Sequence, residues 1–405
     1  MRSVAYVTTT FPTLASFIEN EVHRLRARGV TIAVFALRPA PGRHQPEHAP
    51  LVGLTRVVGS PLDPRAWLAL LGWLVRRPGV LLPETLRMLW ASRGSLYALA
   101  GHLGYLPAAA LVASRVEAEG IERVHAAWAH FPGSVAYLAA RLSGARFSMA
   151  AHAGADLFRT QAFLAPKVRA ADFVATCVRE NADMLRVLAG PRARVAWIYH
   201  GVDLARFDGG GRARDPEPLL LAVGRLAPPK GFDLAIEALA ALAPRWPGAR
   251  LVVVGEGPAR AALEALARAR GIAERVRFTG ALTHDELLPL YRRAWLLLAP
   301  SRVMRDGRRD GIPNVVVEAL AMGVPCVGTR AAGLEEAIRA GETGALVPPD
   351  DPAALAAAVA RLLADPAGID RLGAEARAEA MRAFDAEANF ERFFALLSGG
   401  NGVAA

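Results

Sequence analysis

Apolar residues recur along the chain in two alternating patterns, short β-rich runs and longer stretches with helical spacing. In the first half, strands are predicted at 3–8, 30–37, 121–127, 146–152, 171–177 and 195–199, and helices at 17–28 and 134–142. In the second half, strands are predicted at 219–223, 250–254, 276–279, 295–299 and 324–328, and helices at 232–242, 258–270, 284–294, 313–322 and 352–363. This alternation is typical of parallel sheets with helices on both faces. The predicted fold class is α/β, with two doubly wound, Rossmann-like halves.

A polar stretch rich in glycine and proline separates the two halves. It predicts a first domain over 1–205, a linker over 206–218 and a second domain over 219–375. A long final helix is predicted at 374–397, and the segment 376–405 could return to the first domain. Ligands of open α/β sheets bind at the carboxyl ends of strands. We therefore expect a site in a cleft between the two domains.

The composition is that of a globular protein, with 405 residues, 53% hydrophobic and 21% charged. Lysine and arginine number 48 against 38 acidic residues, so the formal charge is +10. This balance favours anionic partners such as nucleotides, phosphates, membrane surfaces or nucleic acid. Cys177 and Cys326 each lie in an apolar run and predict core positions rather than a disulfide framework. The amino terminus leads directly into a strand without a signal-like apolar region, which predicts a cytoplasmic protein.

A long apolar region at 62–116 contains three tryptophans, Trp67, Trp73 and Trp90, with arginines between the leucines. Aromatic and basic residues together are typical of helices that lie at a membrane interface. Helices that only cover the sheet would show the same apolar content. Both interpretations stay open at this point.

The stretch from Asp310 to Gly323 predicts a loop that turns into a helix. Pro313 suits the first helical position, and Gly323 suits a left-handed residue just past the end. Free backbone N–H groups at such a helix start can bind a phosphate. Asn314 and Glu318 are four residues apart and share one helix face, and a carboxylate there can accept hydrogen bonds from sugar or ribose hydroxyls.

Two glycine-containing loops follow strands of the second half. Gly224–Gly231 is not a P-loop, but it places Arg225 and Lys230 where they can clamp a diphosphate. The loop that begins at Gly255 would let a base or ribose approach the backbone closely. We find no metal-binding motif or nucleophile elbow, so no metal and no cofactor are expected.

In these motifs the second half strongly resembles the retaining glycosyltransferases of family 4. The matching motifs cover 219–365 and include Gly-Arg-Leu with Lys-Gly at 224–231, Val-Val-Val-Gly-Glu-Gly-Pro at 252–258, Asp-Gly-Ile-Pro-Asn to Glu-Ala at 310–319 and Gly-Val-Pro at 323–325. The first half resembles the colanic-acid type, which acts in exopolysaccharide biosynthesis. The resembling pieces there are Phe-Pro at 11–12, Ser-Phe-Ile-Glu-Asn-Glu at 16–21, His-Phe at 130–131, the segment at 152–156 and Ile-Tyr-His-Gly-Val-Asp at 198–203.

This resemblance implies a GT-B architecture, two Rossmann-like domains that face a cleft, and a metal-independent retaining hexosyltransferase. It implies a nucleotide-diphosphate sugar as donor and a saccharide or lipid-linked saccharide as acceptor, with peripheral contact to the inner membrane surface as an open possibility and no nucleic acid. The implied catalytic residues are His152, Arg225, Lys230 and Asp310. The implied donor-binding residues are Gly224, Arg225, Lys230, Gly255, Asp310, Gly311, Asn314 and Glu318. The implied acceptor-side residues are Phe11, Pro12, Glu19, His130 and Asp156.

Two other functions remain as alternatives. A nucleotide-sugar epimerase of the same fold would share the diphosphate clamp and would need acid–base carboxylates, for which Asp156 and Glu19 are the candidates. A non-catalytic protein that binds nucleic acid would explain the positive charge, although no aromatic-basic motif supports it. The family usually has glutamate at the position of Asp310, and aspartate there is one methylene shorter.

Overall fold

The computed structural model of the protein describes residues 1–14, 16–40, 42–331 and 333–399. The chain divides into two compact units. The first is formed by Met1–Ile198 with the residues from Phe390 onward, and the second by Tyr199–Asn389. Residues 206–218, predicted as a linker, lie within the second unit. Each unit contains one parallel sheet, so the predicted α/β class with two Rossmann-like halves is confirmed.

The first unit has a seven-stranded sheet in the order β3-β2-β1-β4-β5-β6-β7. Its strands are β1 Ser3–Thr8, β2 Thr31–Ala36, β3 Thr55–Val57, β4 Arg123–Ala126, β5 Arg146–Ala150, β6 Val174–Thr176 and β7 Val195–Trp197. Its helices are α1 Phe17–Ala27, α2 Pro64–Arg76, α3 Pro78–Ser92, α4 Leu96–Gly104, α5 Leu106–Ala118, α6 Phe131–Ser143, α7 Ala155–Phe158, α8 Leu164–Ala170 and α9 Arg179–Ala189. All strand pairs are parallel, as expected when helices connect them.

The second unit has a six-stranded parallel sheet in the order β10-β9-β8-β11-β12-β13. Its strands are β8 Leu219–Val223, β9 Arg250–Val254, β10 Val276–Gly280, β11 Leu296–Ala299, β12 Cys326–Thr329 and β13 Gly344–Val347. Its helices are α10 Phe232–Leu242, α11 Arg260–Ala269, α12 His284–Arg293, α13 Asn314–Ala321, α14 Leu334–Ala337, α15 Pro352–Leu363 and α16 Pro366–Ala383. The last helix, α17 Ala386–Leu397, begins in this unit and continues into the first at Phe390.

Each sheet separates two hydrophobic cores, because successive side chains of a strand point to opposite faces. In β1, Ala5 and Val7 belong to one core, and Val4 and Tyr6 belong to the other. The second of these cores also contains Phe390 from α17. The sequences of the strands are therefore nearly continuous apolar runs, as expected for parallel strands that are covered on both faces.

Both sheets reverse their strand order at one point, between β1 and β4 in the first unit and between β8 and β11 in the second. Loops on either side of such a reversal diverge and leave a hollow at the carboxyl edge of the sheet. In the second unit, these loops are 224–231 and 300–313. They contain most of the residues predicted to bind a donor.

One prediction about the elements is wrong, and two strands were not predicted at all. The final helix predicted at 374–397 is two helices, because α16 ends at Ala383 and α17 begins only at Ala386. The short strands β3 and β13 were not predicted from the pattern. Both lie at the edge of a sheet, and each has only three or four residues. Such short edge strands carry too little periodicity to stand out.

One helical stretch, Leu96–Ala118, is long and apolar enough by length and composition to cross a membrane. It corresponds to α4 and α5, and half of its most apolar part is buried in the protein. Residues 108–113 of α5 lie in the core of the first unit. A helix in the core of a globular unit has the same length and apolar composition, so these two properties do not distinguish it from a membrane span.

Replacing Trp73 by alanine should lower the free energy of unfolding of the first unit by about 3–5 kcal/mol. Its side chain is 1% exposed, and its Nε1 donates hydrogen bonds to the Ala110 carbonyl at 3.1 Å and to Ser114 Oγ at 2.9 Å. Trp90 on α3 is 69% exposed, so Trp90→Ala is the matched control and should change stability by less than about 0.5 kcal/mol. Calorimetric unfolding of the three proteins measures both effects, and equal losses would contradict the packing described here.

Candidate functional site

Lys230 is positioned by a short 3-10 turn, Pro228–Lys230, that follows β8. The turn ends at Gly231, whose φ is +63°. A Cβ at Gly231 would come within 1.9 Å of the Pro300 carbonyl oxygen, so a larger residue would push the two loops apart. The Arg302 N–H donates to the Pro229 carbonyl at 2.8 Å and fastens the loop after β11 to this turn.

The structure brings the predicted cation Lys230 and the predicted carboxylate Asp310 together. Lys230 Nζ lies 3.0 Å from Asp310 Oδ2, and the two side chains are 21% and 22% exposed. Ser301 Oγ donates to the same carboxylate oxygen at 3.2 Å. Thr329 in turn donates its hydroxyl to the Ser301 carbonyl. The pair is therefore partly exposed, and Ser301, itself bonded by Thr329, positions the Asp310 carboxylate.

Two glycines, Gly224 in the loop after β8 and Gly255 in the loop after β9, approach each other beside this turn. Gly224 and Gly255 have φ values of +150° and +135°, which favour glycine. A Cβ at Gly255 would lie 1.9 Å from the Gly224 carbonyl oxygen. Arg225 follows Gly224 and is exposed. The loop thus combines an accessible guanidinium with backbone that a ligand can approach closely.

Helix α13 begins at the same edge of the sheet as this loop, because it follows the carboxyl end of β11. Its first residue is Asn314, and Pro313 is the preceding cap with an extended ψ of 129°. The prediction that Pro313 is the first helical residue is therefore wrong by one position. Gly323 has the predicted left-handed φ, +67°. Gly311 lies in the loop between Asp310 and the helix.

Glu318 is one turn inside α13 and is 8% exposed. Its Oε2 accepts a hydrogen bond from the Tyr291 hydroxyl at 2.9 Å, and its Oε1 lies 3.7 Å from His284 Nε2. Burial raises the pKa of Glu318 to about 7, although the Tyr291 hydrogen bond and the positive charge of Arg206 act in the opposite direction. A carboxylate can accept about four hydrogen bonds, so Glu318 has capacity for a ligand's hydroxyls.

Several residues that build this site were not predicted from the sequence. Tyr291 and His284 lie on α12 and reach Glu318 from a different part of the chain. Ser301 lies in the loop after β11 and had no predicted role. Arg302 pairs with Asp233 through two hydrogen bonds of 2.7 Å and also with Asp350, and so connects the loop after β11 with the start of α10 and with the loop that contains Asp350. No local spacing indicates any of these partners.

In the first unit, His152 lies just beyond the carboxyl end of β5 and is 8% exposed. Its ring packs edge-on against Phe17 and Trp128, with centroids 5.0 Å and 4.9 Å away. Burial lowers the pKa of His152, which favours the neutral imidazole at pH 7. The structure thus places His152 among aromatic rings at the carboxyl edge of the first sheet, as its position after a strand predicted.

Asp156 and His130 form a buried pair at the same edge. Asp156 Oδ1 accepts hydrogen bonds from the His130 N–H at 2.9 Å and from His130 Nδ1 at 2.7 Å. Its Oδ2 accepts the His152 N–H at 2.8 Å. Burial alone would raise the pKa of Asp156, but these bonds and the nearby imidazoles lower it overall. Asp156 therefore fixes the loops that hold both histidines.

The remaining acceptor-side predictions fall in the loop after β1 and the start of α1. Phe11 is 1% exposed and belongs to a hydrophobic core, and Pro12 beside it is buried. Glu19 is also 1% exposed and accepts hydrogen bonds from the Thr13 N–H and, at 3.0 Å, from Thr13 Oγ1. Burial raises the pKa of Glu19 against the effect of these bonds. Glu19 and Asp156 both serve to hold loops, and the epimerase alternative that needs them is not favoured.

Comparison with known proteins identifies relatives of the second half. Residues 217–365 match the family described as "Glycosyl transferases group 1". Glycogen synthase of Mycobacterium tuberculosis is 38% identical over 220 residues, which cover 54% of this chain and 52% of that enzyme. A GDP-mannose-dependent alpha-(1-6)-phosphatidylinositol monomannoside mannosyltransferase of Mycolicibacterium smegmatis is 34% identical over 239 residues, 56% of this chain and 63% of that enzyme. The chain thus spans about half the length of the first of these relatives. The predicted resemblance to glycosyltransferases is confirmed for the matched residues.

Solved structures resemble the whole chain. HepE of Anabaena in complex with UDP has a TM-score of 0.73 and 16% identity, over 98% of this chain and all of that one. Sucrose-phosphate synthase of Thermosynechococcus elongatus has a TM-score of 0.74 and 21% identity, over 98% of both chains. At these identities the similarity concerns the fold alone, and it confirms the predicted GT-B class.

Proposed function

We propose that this protein transfers a hexosyl group from a nucleotide-diphosphate sugar to a saccharide or lipid-linked saccharide, with retention of the anomeric configuration. The observation that carries the proposal is the Lys230–Asp310 pair, 3.0 Å apart, where the second sheet reverses its strand order. A cation for a diphosphate and a carboxylate for sugar hydroxyls are the two groups that such a donor requires. The match of residues 217–365 to group 1 glycosyltransferases supports the same function.

The chemistry centres on the leaving group. When the bond between the anomeric carbon and the diphosphate oxygen breaks, positive charge develops on the sugar and negative charge on the phosphate. In this proposal Lys230, Arg225 and the start of α13 stabilise that negative charge. The acceptor oxygen bonds to the anomeric carbon on the face that the diphosphate leaves, and its proton passes to the departing phosphate oxygen. This route retains the configuration without a protein nucleophile.

The other predicted residues take complementary roles in the proposal. Glu318 accepts hydrogen bonds from the ribose hydroxyls, and Asp310 with Gly311 and Asn314 contacts the transferred sugar. His152 contacts the sugar near the reacting carbon. Because side chains supply the positive charge, we propose that transfer needs no metal and no cofactor, and that EDTA leaves turnover unchanged.

The acceptor is the least constrained part of the proposal. The Mycolicibacterium smegmatis relative is named for transfer to a phosphatidylinositol mannoside, which supports a lipid-linked acceptor. We propose a role in the assembly of cell-surface polysaccharide on the cytoplasmic side of the inner membrane.

A panel of nucleotide sugars should identify the donor by thermal stabilisation. A ligand at 100 times its Kd adds about 2.7 kcal/mol to the free energy of unfolding, so the correct donor should raise the Tm clearly above its non-matching analogues. Incubation of that donor with saccharide acceptors should then give an α-linked product from an α-linked donor, as read from anomeric proton couplings. A new nucleotide sugar formed without acceptor, or a β-linked product, would overturn the proposal.

A further inference from the structure

We propose that the outward face of helices α2, α3 and α4 binds the surface of a bilayer that contains anionic lipids. This apolar face consists of Trp67, Leu68, Leu71, Leu74, Val75, Leu82, Leu86, Trp90, Leu96, Tyr97 and Leu103. The inference concerns where the protein is located and does not depend on the transfer reaction.

Helix α2 is apolar on both sides. Ala66 and Trp73 are buried on the inner side, where Trp73 packs against α5. The outward residues at positions 67, 68, 71, 74 and 75 follow the i, i+1, i+4, i+7, i+8 spacing of one helix face. Between Arg65 and Arg76 the helix has no charged residue. An ordinary surface helix would carry polar residues at these outward positions.

Helices α3 and α4 repeat the same arrangement. On α3, Glu84 is buried and accepts a hydrogen bond from Tyr137 of α6 at 2.8 Å. The opposite side of α3 presents Leu82, Leu86 and Trp90, spaced four residues apart and 50%, 66% and 69% exposed. On α4, His102 is buried and bonds to Ser134 of α6 at 2.9 Å. Since all three helices bury their inner sides against α5 and α6, their apolar outer sides face away from that layer.

The concentration of exposed apolar side chains here is not matched elsewhere among the described residues. Of the seventeen large hydrophobic residues that are exposed in the described part of the chain, twelve lie between Leu62 and Leu103. The largest apolar patch of a typical monomeric protein covers a few hundred Å², and larger patches mark sites of interaction. Tryptophans at the boundary of such a patch favour a membrane interface, where the indole contacts both apolar and polar layers.

Charge decides between a membrane and a second copy of the chain. The residues from 61 to 104 include five arginines and two acids, a formal charge of +3. Asp63 is bound by Arg65 at 2.9 Å, Glu84 is buried and pairs with Arg87 at 3.1 Å, and Arg76 pairs with Glu117 of α5 at 2.8 Å. The positive charge available to a partner is therefore that of Arg77 and Arg93. A symmetric dimer through this face would bring like charges together. Anionic lipid head groups would instead complement the arginines.

A groove of about 520 Å³ opens beside the apolar face and supports the same partner. It is lined by Trp90, Tyr137 and Phe163, with Arg87 and Arg169. Aromatic walls beside two guanidinium groups suit an acyl chain that carries an anionic phosphate. The groove thus combines the two chemical features that define an anionic lipid.

Vesicle flotation of the full chain tests the proposal. We expect the protein to float with phosphatidylcholine vesicles that contain about 30 mol% phosphatidylglycerol. Binding to pure phosphatidylcholine vesicles should be much weaker. The double variant Leu68→Gln, Trp90→Gln should lower the partition coefficient at least about tenfold. Replacing Arg77 and Arg93 by glutamine should lower it about tenfold on anionic vesicles only.

The matched control is Val187→Gln, which changes a residue 86% exposed on α9 of the same unit and should bind like the wild type. Equal binding of the wild type and the double variant would overturn the proposal. So would light scattering that detects a dimer of the wild type which the double variant no longer forms, since that result assigns the face to a second copy. Turnover on a water-soluble acceptor should stay unchanged in the double variant, which separates this proposal from the transfer reaction.

Discussion

Lys230→Ala is expected to lower kcat for glycosyl transfer by about 10²–10³-fold, the loss seen when one preorganised donor to a developing anion is removed. Lys230 is paired with Asp310 at 3.0 Å on a well-defined turn of the candidate site. Its turn is fixed by Gly231 against the Pro300 carbonyl and by the hydrogen bond from Arg302 to Pro229. A charge that is already in position needs no rearrangement when the diphosphate leaves. Steady-state kinetics with the donor found by the panel measures the change.

The fold of this variant should stay intact, because Lys230 is partly exposed and pairs with only one carboxylate. A pair of this kind contributes about 0–1 kcal/mol to stability. Arg268→Ala, an exposed arginine on α11, is the matched control for loss of a positive charge and should retain full turnover. Asp310→Asn keeps the Lys230 ammonium and removes the carboxylate that is proposed to contact the sugar. Its turnover therefore reports on the sugar contact while the cation of the clamp remains. Near-normal turnover of Lys230→Ala would remove the diphosphate clamp from the proposed mechanism.

The choice of lysine at this position is itself informative. Of the 48 basic residues, only Lys167 and Lys230 are lysine, and all others are arginine. Lys167 is 2% exposed, and its Nζ donates to the carbonyls of Ala129 and His130 and to Ser134 Oγ. A Cβ on Gly224 would lie 3.3 Å from Lys230 Cε, so the space beside that stem is narrow. A compact ammonium fits both places better than a planar guanidinium does, and Lys230→Arg should recover only part of the lost turnover.

The fold could be predicted from the sequence because its strands are continuous apolar runs. Buried parallel strands such as β8 and β9 show this pattern most clearly, and both were placed correctly. The break in the final helix was missed for a different reason than the short edge strands. The break between α16 and α17 falls at Phe384, a buried aromatic residue that fits the helical pattern, so nothing in the periodicity marks it.

The candidate site was only partly predictable for a different reason. A strand followed by Gly224, Arg225 and Lys230 shows in sequence where a ligand can bind, because the end of a parallel strand is also the edge of the sheet. Which side chains meet there depends on the order of strands, and spacing does not reveal that β8 and β11 are neighbours. For this reason Tyr291 and Ser301 could not be assigned. The roles of His152 and Glu318 stay predictions that kinetics and binding must test.

Donor affinity is expected to rise with pH up to about pH 7 and then to level off, because of Glu318. Burial raises the pKa of this carboxyl to about 7, so the free site is mostly protonated below that pH. Two ribose hydroxyls can both donate only to the ionised carboxylate. Since the competent fraction falls about tenfold for each pH unit below the pKa, affinity at pH 5 should be about 100-fold weaker than at pH 8. Calorimetric titration of the intact donor across this range measures the effect.

Glu318→Gln should bind the donor about 10–100-fold more weakly than the wild type at pH 8, and its affinity should not change in this way with pH. The intact nucleotide sugar is the right ligand, because its diphosphate is a diester and keeps its charge across the range. His284 is another titratable group beside Glu318, with Nε2 3.7 Å from Oε1, whereas Tyr291 stays neutral across this range because burial raises its pKa. A histidine that gains a proton at low pH would strengthen the binding of an anionic donor, which is the opposite sign. Stronger binding at pH 5 than at pH 8 would therefore assign the titration to His284 and remove the Glu318 carboxylate from the ribose contact.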